Sequence, residues 1–196
     1  MAAERAEVDG NTLLDPDEAE GLLPTFVTTR AQLNELEADN IRTGTRWAVK
    51  FRPRRNILTE DFIRELHRRM FGAVWRWAGT YRKSNTNIGV NWPTLPVATR
   101  EFCLDVRSWE DARRWGAREI AVRFHHRLVQ IHPFPNGNGR HARLLADVYL
   151  REKERPLRWI GGGRDIVRAR KNYLAALRAA DNGDFDPLLR FTGVKN

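Results

Sequence analysis

The stretch from Ile131 to Arg143 constrains the fold of this chain more than any other part of the sequence. It reads Ile-His-Pro-Phe-Pro-Asn-Gly-Asn-Gly-Arg-His-Ala-Arg. Because prolines and glycines are poorly tolerated inside a helix, the stretch must contain a tight loop. Apolar residues recur at helical spacing on both sides: Ile120, Phe124 and Leu128 before it, and Leu144, Leu145, Val148 and Tyr149 after it. The sequence therefore predicts a helix, a short loop and the N-terminus of a second helix.

The residues of this loop are suited to binding an anion. Gly137 and Gly139 let the backbone approach a ligand closely, and the N–H groups at a helix N-terminus favour negative charge. Arg140 and Arg143 are three residues apart, so both lie on one helical face and can reach phosphate oxygens. His132 stands at the loop entrance, and histidine is a common general base near neutral pH. Together they indicate transfer of a phosphorus-bearing group to a hydroxyl.

Residues 132–143 resemble the Fic motif, His-x-Phe-x-[Asp/Glu]-Gly-Asn-Gly-Arg-x-x-Arg, at every defined position except Asn136, where the family has a carboxylate. The stretch Trp77–Arg82, Trp-Ala-Gly-Thr-Tyr-Arg, looks like the family's lead into its target-binding hairpin. Residues Leu14–Glu20 and Leu33–Ile41 are similar to the Fic subgroup called mobile mystery protein B. The chain thus resembles the Fic/Doc (Fido) family over most of its length.

The resemblance implies a mainly α fold, a Fic-type helical domain with a small β-hairpin flap. It also implies the activity of most Fic proteins, the transfer of AMP from ATP to a Ser, Thr or Tyr hydroxyl of a target protein. We assign residues 1–55 to an N-terminal segment with an inhibitory helix, and residues 56–196 to the Fic domain.

Composition narrows the class of protein. The 196 residues are 41% hydrophobic and 30% charged, which is typical of a globular domain. No apolar run approaches the roughly 20 residues that a membrane helix needs, and the polar start of the chain predicts no signal peptide. Cys103 is the only cysteine, in keeping with a cytoplasmic protein. The net charge of +9 comes from scattered arginines while residues 1–40 are acidic, so a nucleic-acid partner is not expected.

Periodicity and capping signals give the other elements. Residues 1–24 are predicted to be loop, Thr29-x-x-Gln32 forms a capping box, and an irregular hairpin is predicted between Gly79 and Pro96. Pro53, Pro156 and the glycines 161–163 are predicted breaks. The predicted helices cover about 29–42, 45–50, 59–74, 100–114, 117–131, 137–152, 165–180 and 186–191.

Each site residue has a catalytic or binding role and a structural alternative. As the resemblance implies, His132 takes the proton of the target hydroxyl as its oxygen attacks the α-phosphorus of ATP; alternatively it only caps the preceding helix. An anion hole around the α- and β-phosphates is formed by Gly137, Asn138 and Gly139. Arg140 and Arg143 hold the outer phosphates, or they pair with acids such as Asp147, four residues after Arg143.

Asn136 is the informative departure from the motif. The family carboxylate helps to hold Mg²⁺, and an amide oxygen brings no negative charge to the metal. Three interpretations follow: a slow adenylyltransferase, an enzyme with altered chemistry, or a binding-only relative. We favour the first, with ATP as donor and a weakened Mg²⁺ site.

Three further assignments remain open between function and packing. Ile88, in a flap at about 80–92, presses the target side chain toward His132 or belongs to the core. Tyr173 and Leu177 border the adenine, as the resemblance implies, or are core residues. Glu37 is the best match to the family's inhibitory glutamate, which pairs with the second motif arginine, or it is a plain surface residue.

The rival functions are an adenylyltransferase, a Fic-like transferase of another phosphate-bearing group, such as a kinase, and a non-catalytic nucleotide- or nucleic-acid-binding relative. The sequence names neither the target protein nor an antitoxin or other regulatory partner.

Overall fold

The computed structural model describes residues 21–50, 57–151, 153–159 and 166–194, and within them it is mainly α, as predicted. The predicted loop up to residue 20, the breaks at Pro53 and at 161–163, and the predicted helix start at Asp165 lie outside these residues. A short 3₁₀ helix covers Trp92–Thr94. The α-helices of the described part are α1 Arg30–Lys50, α2 Glu60–Phe71, α3 Leu95–Ala112, α4 Ala117–Ile131, α5 Asn138–Leu150, α6 Ile166–Asp181 and α7 Asp186–Thr192.

The described residues divide into two compact units. The first combines residues 21–50 with 64–80, and the second combines residues 57–63 with the described residues from 81 onward. Helix α2 therefore belongs to both units, with its first four residues in the second. The domain boundary predicted near residue 55 stays a prediction.

Helix α1 of the first unit begins with the predicted capping box. The Gln32 side-chain oxygen accepts from the backbone N–H of Thr29 at 3.1 Å, and the Thr29 hydroxyl accepts from the backbone N–H of Gln32 at 3.3 Å. The prediction of two helices, at 29–42 and 45–50, is wrong because α1 continues through Gly44. A Cβ at Gly44 would lie 2.9 Å from backbone atoms of Arg69 and Met70. Glycine is therefore needed here for close packing.

Helix α2 ends at Phe71, three residues before the predicted end. The Asn40 side chain donates to the carbonyl of Arg69 at 3.0 Å and accepts from the N–H of Ala73 at 2.9 Å. This one amide satisfies backbone groups at the end of the helix, so the chain can turn there.

Helix α4 is the centre of the second unit and packs against α3, α5, α6 and α7. Phe102 of α3, Phe124 of α4 and Leu145 of α5 are fully buried. Helix α3 begins at Leu95 rather than at residue 100, because Pro96 lies in its first turn, where proline is tolerated. None of the described helices has the length and apolar character needed to cross a membrane.

Candidate active site

The motif loop, residues 132–137, joins α4 to α5 as the sequence predicted. Helix α4 ends at Ile131, the predicted residue, and α5 begins at Asn138. Two left-handed residues turn the chain: His132, with φ 54°, caps α4, and Gly137, with φ 77°, precedes α5. A left-handed conformation is uncommon for a residue other than glycine, so the contacts around His132 help to hold it.

His132 uses one side of its ring to cap α4. Its backbone N–H donates to Leu128 O at 3.1 Å, and its Nδ1 lies 3.2 Å from Val129 O. Because a carbonyl can only accept, Nδ1 carries the proton and the neutral ring keeps Nε2 as an acceptor. His132 therefore caps α4, and the same contact leaves Nε2 as an acceptor; its role as general base stays a prediction.

The surroundings of His132 favour its neutral form. Burial lowers the pKa of its imidazole below 6.5, the Val129 carbonyl raises it, and the positive charge of Arg82 lowers it. A neutral imidazole near physiological pH is the form that a general base requires.

Asn138 locks the motif loop. Its side-chain oxygen accepts from Phe134 N–H at 2.9 Å, and its side-chain nitrogen donates to Phe134 O at 2.8 Å. Phe134 is fully buried and contacts the ring of His141, whose Nε2 lies 2.9 Å from Ile63 O. The Asn138 side-chain amide thus shapes the loop. Its predicted contribution to an anion hole would come from its backbone N–H.

The first turn of α5 supplies the anion-binding geometry. The first helical bond runs from His141 N–H to Gly137 O at 2.9 Å, so the backbone N–H groups that precede it lie at the helix N-terminus, where an anion can be bound. Asn136 is exposed, and its side-chain oxygen accepts from Gly137 N–H at 2.6 Å. A Cβ at Gly139 would be 3.7 Å from a guanidinium nitrogen of Arg143, which lies beside this turn.

Arg143 lies beside Tyr173 of α6, which is paired with the buried His125 of α4. Its guanidinium carbon is 5.8 Å from the centroid of the Tyr173 ring, and the Tyr173 hydroxyl is 2.8 Å from Nε2 of His125. Burial, and then the charge of Arg143, lower the pKa of His125 to about 3, so this imidazole is neutral. The Asp147 carboxylate, the partner that the sequence suggested for Arg143, accepts from the Trp159 indole at 2.9 Å.

The two residues predicted to border the adenine are buried on α6. Tyr173 and Leu177 retain 5% and 8% of their surface exposure. Their packing matches the core alternative, and an adenine contact stays a prediction.

Residues 80–91 contain no paired strands, so the expected hairpin is not confirmed. The segment bonds instead to the end of α4 and the motif loop, from Arg82 N–H to Pro133 O at 3.0 Å and from Val90 N–H to Ile131 O at 3.3 Å. The core alternative for Ile88 is wrong, because 57% of its surface is exposed.

Comparisons with known proteins identify the family of this domain. A model of the Fic/DOC family matches residues 57–150. The chain contains a Fic/DOC family domain. Protein adenylyltransferase fic-1 of Caenorhabditis briggsae is 33% identical over 135 residues, which cover 67% of this chain and 26% of that protein. Protein adenylyltransferase Fic of Nematostella vectensis is 33% identical over 140 residues, covering 68% and 31%. The chain thus spans less than a third of these relatives' length.

Solved structures show the same Fic fold. Fic-1 of Caenorhabditis elegans, residues 134–508, has a TM-score of 0.63 and 26% identity, covering 88% of this chain and 51% of that one. BepC of Bartonella tribocorum, solved with bound AMPPNP, has a TM-score of 0.66 at 13% identity, covering 91% and 97%, and is a likeness of fold alone.

Glu37 is buried within the first compact unit. Only 6% of its surface is exposed, and its Oε1 accepts from the indole N–H of Trp75 at 2.7 Å. The plain surface alternative is therefore wrong, and its predicted inhibitory pairing stays a prediction.

The residues of the Fic motif loop provide no carboxylate for a metal. The Asn136 oxygen already accepts from Gly137 N–H, and within the described ranges no group of three or more His, Cys, Asp or Glu is placed to hold an ion. The described residues of the motif loop therefore do not fit the usual Mg²⁺ site of the family motif.

The sequence analysis gave no role to Arg82, although this residue belongs to the Trp77–Arg82 stretch that resembles the family. Its side chain is 3% exposed, and its Nε donates to His132 O at 2.8 Å. Its place at the end of the Trp77–Arg82 stretch was the available signal, but a contact across 50 residues cannot be read from local sequence.

Proposed function

We propose that this chain transfers AMP from ATP to a Ser, Thr or Tyr hydroxyl of a target protein. The observation that carries the proposal is the ring of His132, whose Nδ1 is committed to Val129 O. Nε2 therefore remains able to accept a proton. His132 stands at the start of the loop that leads into the N-terminus of α5.

In this mechanism the ATP phosphates bind the N–H groups of the first turn of α5. Arg140 and Arg143 hold the outer phosphates as charge-assisted donors. His132 accepts the proton of the target hydroxyl while the hydroxyl oxygen forms a bond to the α-phosphorus. The bond between the α-phosphorus and the bridging oxygen breaks, and pyrophosphate leaves with the electron pair.

Labelled ATP tests this function. The chain is incubated with a cell lysate and ATP carrying ³²P on the α- or on the γ-phosphate. Protein labelling from the α-phosphate alone is the expected result, and it should vanish with His132→Ala. Labelling from the γ-phosphate alone would identify a kinase-like transferase instead. No labelling from either position would indicate a binding module.

We propose that Mg²⁺ is held mainly by the phosphates of ATP, because Asn136 offers no charge. Replacing Asn136 by aspartate keeps an oxygen for the Gly137 N–H and adds a carboxylate. AMP transfer by Asn136→Asp should therefore be faster and should reach its maximum at a lower Mg²⁺ concentration. The measurement is the initial rate against Mg²⁺ concentration for both proteins.

Asn136→Ser is the matched control, because serine also offers an oxygen at this position but no charge. Its Mg²⁺ curve should stay close to that of the wild type. If the curves of Asn136→Asp and wild type coincide, position 136 does not contact the metal.

We propose that Glu37 restrains the enzyme by competing with ATP phosphate for Arg143. Support comes from its burial and from the Trp75 indole, which orients its carboxylate. Glu37→Gln keeps an oxygen for the indole but removes the charge, so AMP transfer by this variant should increase several-fold. Initial rates of self-labelling or target labelling measure the effect.

Glu35→Gln is the control for this prediction, because Glu35 is exposed on the same helix. Its rate should equal that of the wild type. Equal rates for all three proteins would show that Glu37 does not inhibit, and that any restraint comes from a separate partner.

The remaining assignments are also proposals. Ile88, exposed near the motif loop, contacts the target side chain, and Tyr173 and Leu177 lie on the adenine side of the site. We place the protein in the cytoplasm, in the mobile mystery protein B subgroup, with an antitoxin or other regulatory partner. Support for the subgroup comes from Leu14–Glu20 and Leu33–Ile41.

A further inference from the structure

The C-terminus of α4 has an unusual set of hydrogen-bond partners. The last four carbonyls of a helix lack partners within it. Here Leu128 O accepts from His132 N–H, and Val129 O from His132 Nδ1. Ile131 O accepts from Val90 N–H. The residue that caps the helix, His132, is also the proposed base. The orientation of its ring therefore depends on how the helix is capped.

Arg82 completes this cap from a distant part of the chain. Its guanidinium donates to His132 O at 2.8 Å through Nε and reaches Ile131 O at 3.5 Å through Nη2. It also donates to Ser84 O at 2.8 Å through Nη1 and to Val90 O through Nη2. One planar side chain thus ties two carbonyls of residues 131–132 to two carbonyls of residues 84–90.

Arg82 is buried among carbonyls and not paired with an acid. Its surface is 3% exposed, and among the described residues it forms no ion pair with a carboxylate. Carbonyl dipoles must therefore compensate its charge, and a buried charge is tolerated only where its hydrogen bonds are satisfied. The buried guanidinium therefore holds each carbonyl that it contacts in a fixed position.

Gly89 brings the exposed segment into contact with this cap. Its φ is +116°, and a Cβ built on it would lie 2.6 Å from Nη2 of Arg82 and 2.9 Å from Cβ of His132. Any side chain at residue 89 would therefore push the guanidinium or the histidine from its place.

We propose that Arg82, kept in contact by Gly89, is a positioning residue that holds His132 in its left-handed conformation with Nδ1 on Val129 O. The inference rests on the proposed role of His132 as general base. Arg82 does not touch the reacting atoms; it fixes the carbonyl of His132, and thereby the backbone from which the imidazole projects. Loss of the guanidinium frees the ring to turn and lets its single N–H proton move from Nδ1 to Nε2.

The first test measures the ring of His132 and does not depend on catalysis. Nitrogen-15 NMR shifts report which ring nitrogen carries the proton, and the His132 signal is assigned among the five histidines by its loss in His132→Gln. The wild type should show the Nδ1–H form. Arg82→Gln should show a mixture of both forms, and Arg82→Lys should be intermediate, because lysine keeps the charge but not the planar fork.

The second test separates positioning from ATP binding. We expect kcat of AMP transfer to fall by about 10–100-fold in Arg82→Gln, as small misplacements of a reacting group do. The KM for ATP should stay within about twofold, because the lost contact is made to His132 and not to the nucleotide. Rates are normalised to the folded fraction measured by circular dichroism.

Gly89→Ala tests the same contact while keeping the guanidinium, and it carries the test if Arg82→Gln does not fold. Its matched control is Gly183→Ala, where φ is +87° but no atom lies within 4 Å of the added Cβ. Only Gly89→Ala should disturb the His132 ring and lower kcat.

An unchanged Nδ1–H form in folded Arg82 and Gly89 variants would overturn the proposal, whatever their activity. If the wild type transfers no AMP but the His132 ring still responds to these variants, the positioning role stands and the proposed function fails. An unchanged ring together with a lower kcat would show that Arg82 acts by another route.

Discussion

Replacing His132 by alanine is expected to reduce AMP transfer by roughly 10²-fold or more, while ATP binding stays nearly unchanged. In the proposed mechanism the imidazole acts on the target hydroxyl, whereas the phosphates bind the first turn of α5. The measurement is initial-rate labelling together with calorimetric titration of ATP. Because alanine is strained at the φ of 54° found here, His132→Asn is a second variant, since asparagine adopts left-handed backbone more readily. Full activity of either folded variant would rule out the assignment.

The pH dependence of the wild type provides an independent check on His132. Burial lowers the pKa of its imidazole below 6.5, and the charge of Arg82 lowers it further. Only the neutral ring accepts a proton, so kcat/KM should be constant above this pKa and fall as the pH decreases through it. An acid limb centred above 6.5 would contradict this environment.

Replacing Arg143 by alanine is expected to weaken ATP binding by about 10- to 150-fold. A hydrogen bond to a charged group contributes about 1.5–3 kcal/mol, and about 1.4 kcal/mol corresponds to a factor of ten in Kd. The Tyr173 ring beside the guanidinium keeps it near the first turn of α5. Calorimetric titration of ATP into the wild type and the variant measures the effect.

Tyr173→Phe is the matched control for Arg143. It keeps the ring and removes the hydroxyl that lies 2.8 Å from His125 Nε2. Its ATP affinity should fall less than that of Arg143→Ala. Unchanged affinity in Arg143→Ala would leave this arginine with a structural role alone.

The elements that depend on local signals were predictable from the sequence. The bounds of α4 were confirmed because apolar spacing and Pro133 define them. The capping box at Thr29 was confirmed because its residues lie three apart. In each of these cases the partners that form the structure are close neighbours in the chain.

The features that sequence reasoning missed depend on distant partners. Residues 80–91 read as a hairpin because they contain β-forming residues, but no paired strands form among them, and the backbone N–H groups of Arg82 and Val90 donate to Pro133 and Ile131. Two helices were predicted at 29–42 and 45–50, yet α1 is continuous and Gly44 within it allows close contact with Met70. Tertiary contacts overrode the local preference each time.

The motif loop has an electrostatic consequence for the proposed reaction. It places His132 at the carboxyl end of α4, where the aligned peptide dipoles are negative, and the phosphates at the amino end of α5, where they are positive. Transfer leaves a positive imidazolium and a negative pyrophosphate, so each new charge arises beside a backbone field of opposite sign. These fields belong to the main chain and are poorly screened inside the protein, whereas exposed arginines are screened by salt. Added salt should therefore slow the encounter with ATP more than it slows the chemical step.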